Sequence, residues 1–291
     1  MTSGRRRAAV LGHPIGHSRS PALHRAAYEA LGVDIEYVSF DLVPDQLGDF
    51  VRKVRGEDGW CGLSVTMPLK AALVGSMDRL EGNATVLGVL NTVTFERSSG
   101  RLALVGHNTD VAGIVEALRH AGVVRAAAPV IVGAGNTALA AVAAISELGA
   151  AAVRFLVRDP SRAAEAAALA ERLGLAVALE PIEGGAAALA AADVVVSTLP
   201  PRAADALAGE LAAQAADDGV TGVLLDVAYD PWPSRLGEAW EARGGRTLHG
   251  LEMLVYQAVE QIVLFTGRED ARRLDVIDVM CNSVGLAQRA R

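Results

Sequence analysis

Short uninterrupted apolar runs alternate along this chain with longer stretches whose apolar residues recur every three or four positions. The first pattern marks buried strands and the second amphipathic helices. AAVLG (8–12) reads as a strand, PALHRAAYEALG (21–32) as a helix opened by Pro21, and IEYVSFDL (35–42) as a strand. PDQLGDFVRKVRG follows as a helix closed by Gly56, and WCGLSVT as a buried strand. Pro68 opens the next helix, which places Lys70 in its first turn, beside a strand end. VLNTVTFE and RLALVGHN flank SSG, a hairpin signature. From about residue 129 the rhythm becomes cleaner. PVIVGAG, AVRFLVRD, ADVVVSTLP and VTGVLLDVAY alternate with helical stretches that include 203–215 and SRLGEAWEARGG. Apolar strands without polar alternation, separated by amphipathic helices, predict a parallel sheet covered on both faces. After Gly250 the pattern changes to two helical stretches, 251–266 and roughly 270–288. The expectation is two α/β domains, with the final helices outside the second sheet.

Composition narrows the function classes. A 291-residue chain that is 51% hydrophobic and 21% charged has the makeup of a globular protein with a sizeable core. Its net charge of -7 argues against nucleic acid as a partner, because phosphate binding needs a basic surface. No apolar run is long enough to span a membrane, and the basic N-terminus MTSGRRRAAVLG lacks the apolar core of a signal peptide. Cys61 and Cys281 lack metal-ligand spacing and read as buried free thiols. A cytoplasmic protein is expected. The basic residues are 25 arginines and two lysines, Lys53 and Lys70. A lysine at the end of the apolar run GLSVTMPLK therefore stands out.

VIVGAGNTALAAV carries G-x-G-x-x-A, with Gly133, Gly135 and Ala138, directly after an apolar strand and at the start of a helix. Gly133 permits the tight turn, Gly135 lets the backbone approach a pyrophosphate, and Ala138 allows close helix–strand packing. The helix N-terminus adds free N–H groups and the positive end of its dipole. The next strand ends FLVRDPSR, where NAD enzymes usually carry an acidic residue. Val157 stands there instead, followed by Arg158, with Arg162 a helical turn further on. A guanidinium suits a 2′-phosphate, which favours NADP. Asp159 leaves the NAD reading open, since it could reach a ribose hydroxyl or neutralise Arg158.

The loop GHPIGHSRSPALH follows the first strand. Its histidines, His13, His17 and His24, lack the cysteine or carboxylate partners of a metal site, and no metal is expected. The hydroxyls of Ser18 and Ser20 suit an anionic or polyol ligand better, although Ser20 alone would serve as a helix cap.

These pieces together resemble the shikimate/quinate dehydrogenases. GHPIGHSRSPALH, SVTMPLK, GVLNTV, HNTDVAG, VGAG with the following NTA, LLDVAYDPWP and GLEMLVYQA occur in that family's order, from residue 11 to about 265. The resemblance implies a substrate-binding domain (1–109) completed by C-terminal helices (250–291), a Rossmann-type NADP-binding domain (110–249), and a cleft between them. It implies NADP-dependent reduction of 3-dehydroshikimate to shikimate by a monomer or homodimer whose partners are small molecules. Quinate or aminoshikimate oxidation, with NAD or both cofactors, is the alternative. Ser18 and Ser20 would hold the substrate carboxylate, and Thr66, Asn91, Asp110 and Gln257 its ring hydroxyls. Lys70 would face the reacting oxygen with Asp110 as partner, and Tyr229 would lie near the substrate. Gly133, Ala134, Gly135, Asn136, Thr137, Arg158, Arg162 and Thr198 would line the cofactor site, with Gly250 and Met253 near the nicotinamide. Three stretches depart from the family pattern: Ser64 replaces a common asparagine, Val157–Asp159 replaces N-R-T while keeping its arginine, and Glu252 stands within GLEML. By helical periodicity alone, Gln257 lies off the apolar stripe and reads as exposed.

Overall fold

A computed structural model describes residues 6–98, 100–214 and 219–289. The alternating pattern resolves into two units, Met1–Asp110 with Leu254–Arg291, and Val111–Met253.

The first unit contains β1 (Arg6–Gly12), α1 (Ser20–Leu31), β2 (Ile35–Asp41), α2 (Leu47–Gly56), β3 (Trp60–Val65) and α3 (Leu69–Ala72). It continues with β4 (Arg79–Leu80), α4 (Asn83–Leu87), β5 (Thr92–Ser98) and β6 (Arg101–His107). The sheet order is β2-β1-β3-β5-β6-β4. β1 runs parallel to β2 and β3, whereas β5 is antiparallel to both β3 and β6. The SSG hairpin is present, with Ser98 opposite Arg101; Ser99 lies outside the described residues. Successive strand residues face opposite ways, so each face acquires its own core. Ala9, Leu11, Leu63 and Val93 pack with Phe50 and Val54 of α2. Ala8, Val10 and Tyr37 pack on the other side with Leu23 and Tyr28 of α1, and with two helices from the far end of the chain, α11 (Gly250–Thr266) and α12 (Leu274–Ser283). Gly62 in β3 makes room for one of their side chains, since a Cβ there would lie 2.0 Å from the Phe265 ring.

The second unit holds most of α5 (Asp110–His120), then β7 (Pro129–Val132), α6 (Asn136–Glu147), β8 (Ala152–Val157), α7 (Ala164–Arg172), β9 (Ala176–Pro181) and α8 (Ala186–Ala190). It ends with β10 (Val194–Ser197), α9 (Asp205–Ala213), β11 (Val223–Asp226), α10 (Arg235–Ala242) and β12 (Arg246–His249). All its strands are parallel, in the order β12-β11-β10-β7-β8-β9. The chain leaves β7 toward one edge and returns to β10 to build the other, a topological switch point of the doubly wound fold. Val130, Val132, Val195 and Leu224 meet Leu189, Leu207 and Trp240 on one face. α6 is buried from Ala138 to Ile145.

Three differences from the expected elements have local causes. The helix expected over 270–288 splits into a 3-10 turn, Glu269–Arg272, and α12, because Arg273 is extended (φ -69°, ψ 144°). The helix expected at 203–215 is α9, whose C-cap Gln214 is extended; residue 215 lies outside the described residues. β4, β9 and β12 are strands beyond those expected: β4 has two residues, β9 is a largely exposed edge strand, and β12 (RTLH) buries only Leu248. Cys281 is buried, Cys61 is partly buried, and both carry thiols. No described helix is long and apolar enough to cross a membrane.

Candidate active site

Strand register brings the chemistry of the first unit to one edge of its sheet. Leu11 pairs with Val65, so the loops after β1 and β3 emerge side by side. β5 starts at that edge, with Thr92 beside Ser64, and β6 ends there, with His107 beside Thr92. Ser18, Ser20, Thr66, Lys70, Asn91 and Asp110 all follow from these strand ends.

Lys70 Nζ donates to Asp110 Oδ2 at 2.5 Å, and both side chains are nearly inaccessible, at 12% and 7% exposed. An ion pair so buried is held by its surroundings, because losing either partner strands a charge away from water. Asn91 supplies that support. Its Nδ2 donates to Asp110 Oδ1 at 2.8 Å and to Gln257 Oε1 at 3.3 Å. Its Oδ1 accepts from the Thr109 backbone N–H at 2.8 Å. Asp110 is the first residue of α5, and its carboxylate turns to Lys70 and Asn91; the side chain of Asn108 caps its backbone N–H at 3.0 Å. Gln257 corrects the expectation from periodicity. It is 5% exposed, with Nε2 donating to the Leu254 carbonyl at 2.8 Å, because α11 is enclosed on its polar side too.

In the serine loop, Ser20 is the buried first residue of α1, and its backbone N–H donates to Ser18 Oγ at 3.4 Å. Arg19 occupies the cap position, so Ser20 is not the helix cap. Thr66 lies against Gly12, where a Cβ would come within 2.4 Å of its methyl group. The loop histidines separate. His13 Nδ1 meets Asp41 at 2.6 Å, and this hydrogen bond holds the Asp41 carboxyl below its usual range. His24 is buried, stacks on Tyr37 at 4.0 Å, and is pushed down to about 3 by burial. Elsewhere, Glu81, Glu96 and His107 place ligand atoms within 4.8 Å of one another, but Arg79 donates to both carboxylates and meets their charge.

In the second unit the candidate cofactor residues follow the C-terminal ends of parallel strands. Gly133 has φ +102°, and a Cβ there would sit 2.7 Å from Thr198 Oγ1. Thr198 fastens β10 to β7 by donating from both N and Oγ1 to the Val132 carbonyl, at 2.9 and 3.0 Å. Gly135 is the extended N-cap of α6, and a Cβ there would meet nothing within 4 Å. That open space, above the unpaired N–H groups of Asn136 and Thr137, fits a pyrophosphate. Ala134 is half-buried beside it, and Ala138 is fully buried as close packing requires. Arg158 and Arg162 are exposed beyond β8. Asp159 accepts from Ser161 N and Oγ at 2.9 and 2.7 Å, capping the turn Pro160–Ala163. Its carboxylate is thereby engaged locally, and Arg158 has no ion-pair partner among the described residues. These features fit NADP. Tyr229 is half-buried after β11, and Met253 is buried in the first turn of α11. Gly250 packs so tightly that a Cβ would lie 2.2 Å from the Val227 carbonyl.

A Rossmann-type unit on the same chain as an α/β unit with a buried lysine–carboxylate pair defines a nicotinamide-dependent oxidoreductase. The comparisons narrow the class. Residues 10–93 match the model of the shikimate dehydrogenase substrate binding domain, and residues 250–271 that of the shikimate 5'-dehydrogenase C-terminal domain. The chain is 33% identical over 275 residues to shikimate dehydrogenase (NADP(+)) of Methanothermobacter thermautotrophicus, covering 92% of this chain and 93% of that one. It superimposes on the crystal structure of Mycobacterium tuberculosis shikimate dehydrogenase with a TM-score of 0.81 and 37% identity, over 96% of this chain and 98% of that one. The enzyme of Thermus thermophilus in complex with NADP(H) and shikimate gives a TM-score of 0.77 at 30% identity, over 96% and 99% of the two chains. The chain belongs to the shikimate dehydrogenase family.

Sequence reasoning missed one group near Lys70. Tyr37, Ser64, Thr92, Thr109 and Gln261 form a buried hydrogen-bonded set around Asn91. A signal was present: Gln257 and Gln261 are four apart on a mostly apolar helix, and so share one face.

Proposed function

We propose that the protein catalyses the reversible reduction of 3-dehydroshikimate to shikimate with NADPH, in the shikimate pathway of aromatic amino-acid biosynthesis. One observation carries the reading: the buried Lys70–Asp110 pair, held by Asn91. When bound, the nicotinamide supplies the hydride to the ketone carbon. Lys70, as an ammonium, polarises the carbonyl, stabilises the forming alkoxide and gives it a proton. Asp110 orients the ammonium and accepts from a ring hydroxyl. Thr66, Asn91 and Gln257 hold the remaining hydroxyls, Ser18 and Ser20 hold the carboxylate, and Tyr229 borders the substrate.

On the cofactor side, Gly133, Ala134, Gly135, Asn136 and Thr137 cradle the pyrophosphate. Arg158 and Arg162 hold the 2′-phosphate, while Thr198, Gly250 and Met253 adjoin the nicotinamide. The two thiols suit a reducing compartment, which supports the cytoplasm as the site of action, with the enzyme working as a monomer or homodimer. Initial rates on shikimate and on quinate, each with NADP⁺ and with NAD⁺, test the assignment. Shikimate with NADP⁺ should be the fastest pair. Quinate matching shikimate, or NAD⁺ matching NADP⁺, would sink it.

A further inference from the structure

We infer that Gln261 is a positioning residue for Lys70, acting through a one-way relay of hydrogen bonds that sets the orientation of Asn91. The inference rests on the function proposed above and extends it to a side chain that touches neither Lys70 nor Asp110.

The Gln261 carboxamide is 1% exposed, and all four of its hydrogen-bonding positions are filled. Nε2 donates to the Asn91 backbone carbonyl at 3.1 Å and to Thr92 Oγ1 at 3.0 Å. Oε1 accepts from Ser64 Oγ at 2.7 Å and faces His24 Nε2 at 3.2 Å. A backbone carbonyl can only accept, so the amide cannot be turned over, and the protons of Ser64 and His24 are then determined. Ser64 spends its proton on Gln261 and accepts from Tyr37 Oη at 2.7 Å. His24 carries its proton on Nε2, leaving Nδ1 to accept from Tyr28 Oη at 3.1 Å.

On the other side, Thr92 receives the Gln261 proton and passes its own to Asn91 Oδ1 at 2.7 Å. That oxygen also takes the Thr109 N–H at 2.8 Å. With Oδ1 committed, Nδ2 must face Asp110, to which it donates at 2.8 Å, and the second carboxylate oxygen meets Lys70. Without the Gln261 donor, Thr92 is free to turn its proton elsewhere, and one constraint on the Asn91 amide is lost. A flipped Asn91 would set a carbonyl oxygen against the Asp110 carboxylate and displace it from Lys70. On its far side the relay continues from Ser64 to Tyr37, whose ring stacks on His24 at 4.0 Å.

Gln261→Met and Thr92→Val keep the shape at each position and remove the donor. Each should lower kcat for shikimate oxidation on the order of 10- to 100-fold, as small misplacements of catalytic groups do, with the KM for NADP⁺ unchanged. Thr92→Ser, which keeps the hydroxyl, should retain activity. The double variant should be no slower than the slower single one, because both substitutions cut one relay. A readout independent of turnover comes from the lysine content. Lysine-selective ¹³C,¹⁵N labelling gives two side-chain signals, Lys70 and Lys53. The Lys70 signal should move in Gln261→Met and Thr92→Val and stay put in Thr92→Ser, with Lys53 as internal reference. A folded Gln261→Met with the wild-type Lys70 signal and kcat would overturn the inference, as would losses that multiply in the double variant. Should Gln261→Met fail to fold, the Thr92→Val and Thr92→Ser pair decides by the same criteria. A wild-type enzyme inactive on shikimate would refute the proposed function, while the Lys70 signal would still test the relay.

Discussion

The two units organise their sites in opposite ways. Among the described residues, nearly every buried polar or charged side chain belongs to the first unit; Ser197 and Asp226 are the exceptions. The first unit builds its site from side chains that hydrogen-bond one another beneath the surface, on a mixed sheet whose antiparallel strands bring Asn91 and Asp110 back to the edge carrying Lys70. The second unit has an all-parallel sheet with a mostly apolar interior, and it offers backbone: a glycine turn, free N–H groups at the start of α6 and space where side chains are missing. Chemistry that moves a proton needs tuned side chains, whereas holding a pyrophosphate needs only aligned dipoles and room.

Substitutions in the two units should therefore fail differently. The largest effect is expected for Lys70→Ala, with kcat falling about 10²- to 10⁴-fold and the substrate KM changing only a few-fold. Lys70→Arg keeps a cation beside Asp110 but cannot give up a proton usefully, so its turnover should fall nearly as far. Near-normal turnover in either variant would remove the lysine from the chemistry. Next comes the serine loop. Hydrogen bonds to a charged group contribute about 1.5–3 kcal/mol each, so Ser18→Ala combined with Ser20→Ala should raise the substrate KM at least about tenfold. The KM for NADP⁺ should be unaffected. An unchanged substrate KM would end the carboxylate assignment.

This contrast also explains what was legible before the structure. The proposed cofactor site is local: Gly133, Gly135 and Ala138 lie within six residues, and each is read from backbone geometry alone. The strand–helix alternation of the second unit was legible for the same reason, apart from β9 at an exposed edge and β12, whose RTLH buries only Leu248. The site proposed for the first unit draws on residues from 18 to 261, and nothing in their spacing announces that Lys70 meets Asp110 or that Asn91 supports both. Family resemblance, not periodicity, joined them. Gln257 shows the limit most clearly, because a polar residue off an apolar stripe reads as solvent-facing until a second polar layer encloses it. Gln261 was missed for that reason, and Ser64 was noticed only as a departure from the family pattern.

Two glycines two residues apart sharpen the comparison within the second unit. Gly133→Ala forces a side chain onto φ +102° and within 2.7 Å of Thr198 Oγ1. It should cost about 1–3 kcal/mol of stability, read as a lower thermal midpoint without cofactor. Gly135→Ala meets no protein atom within 4 Å, so the midpoint should hold while the KM for NADP⁺ rises about tenfold, ~1.4 kcal/mol. If Gly135→Ala melts early and binds normally, the open space there is not the phosphate site.

The smallest effect, absent at neutral pH, concerns the buried layer of the first unit. Burial holds His24 at about 3, whereas an unfolded histidine titrates near 6.5. Between those values the unfolded chain binds a proton that the folded chain refuses, so stability falls as pH drops through that window. At pH 5 the deficit reaches about 1.5 pKa intervals, or roughly 2 kcal/mol. His24→Gln removes the titrating group, and the carboxylates common to both proteins cancel in the comparison. From pH 7 to pH 5, urea unfolding of the first unit should therefore lose roughly 2 kcal/mol more in the wild type than in His24→Gln. Equal losses would mean that the histidine is reached by water or protonated in place. His24 could not then hold its single proton on Nε2 toward Gln261, and the buried layer would not be the closed polar network that sets the first unit apart from the second.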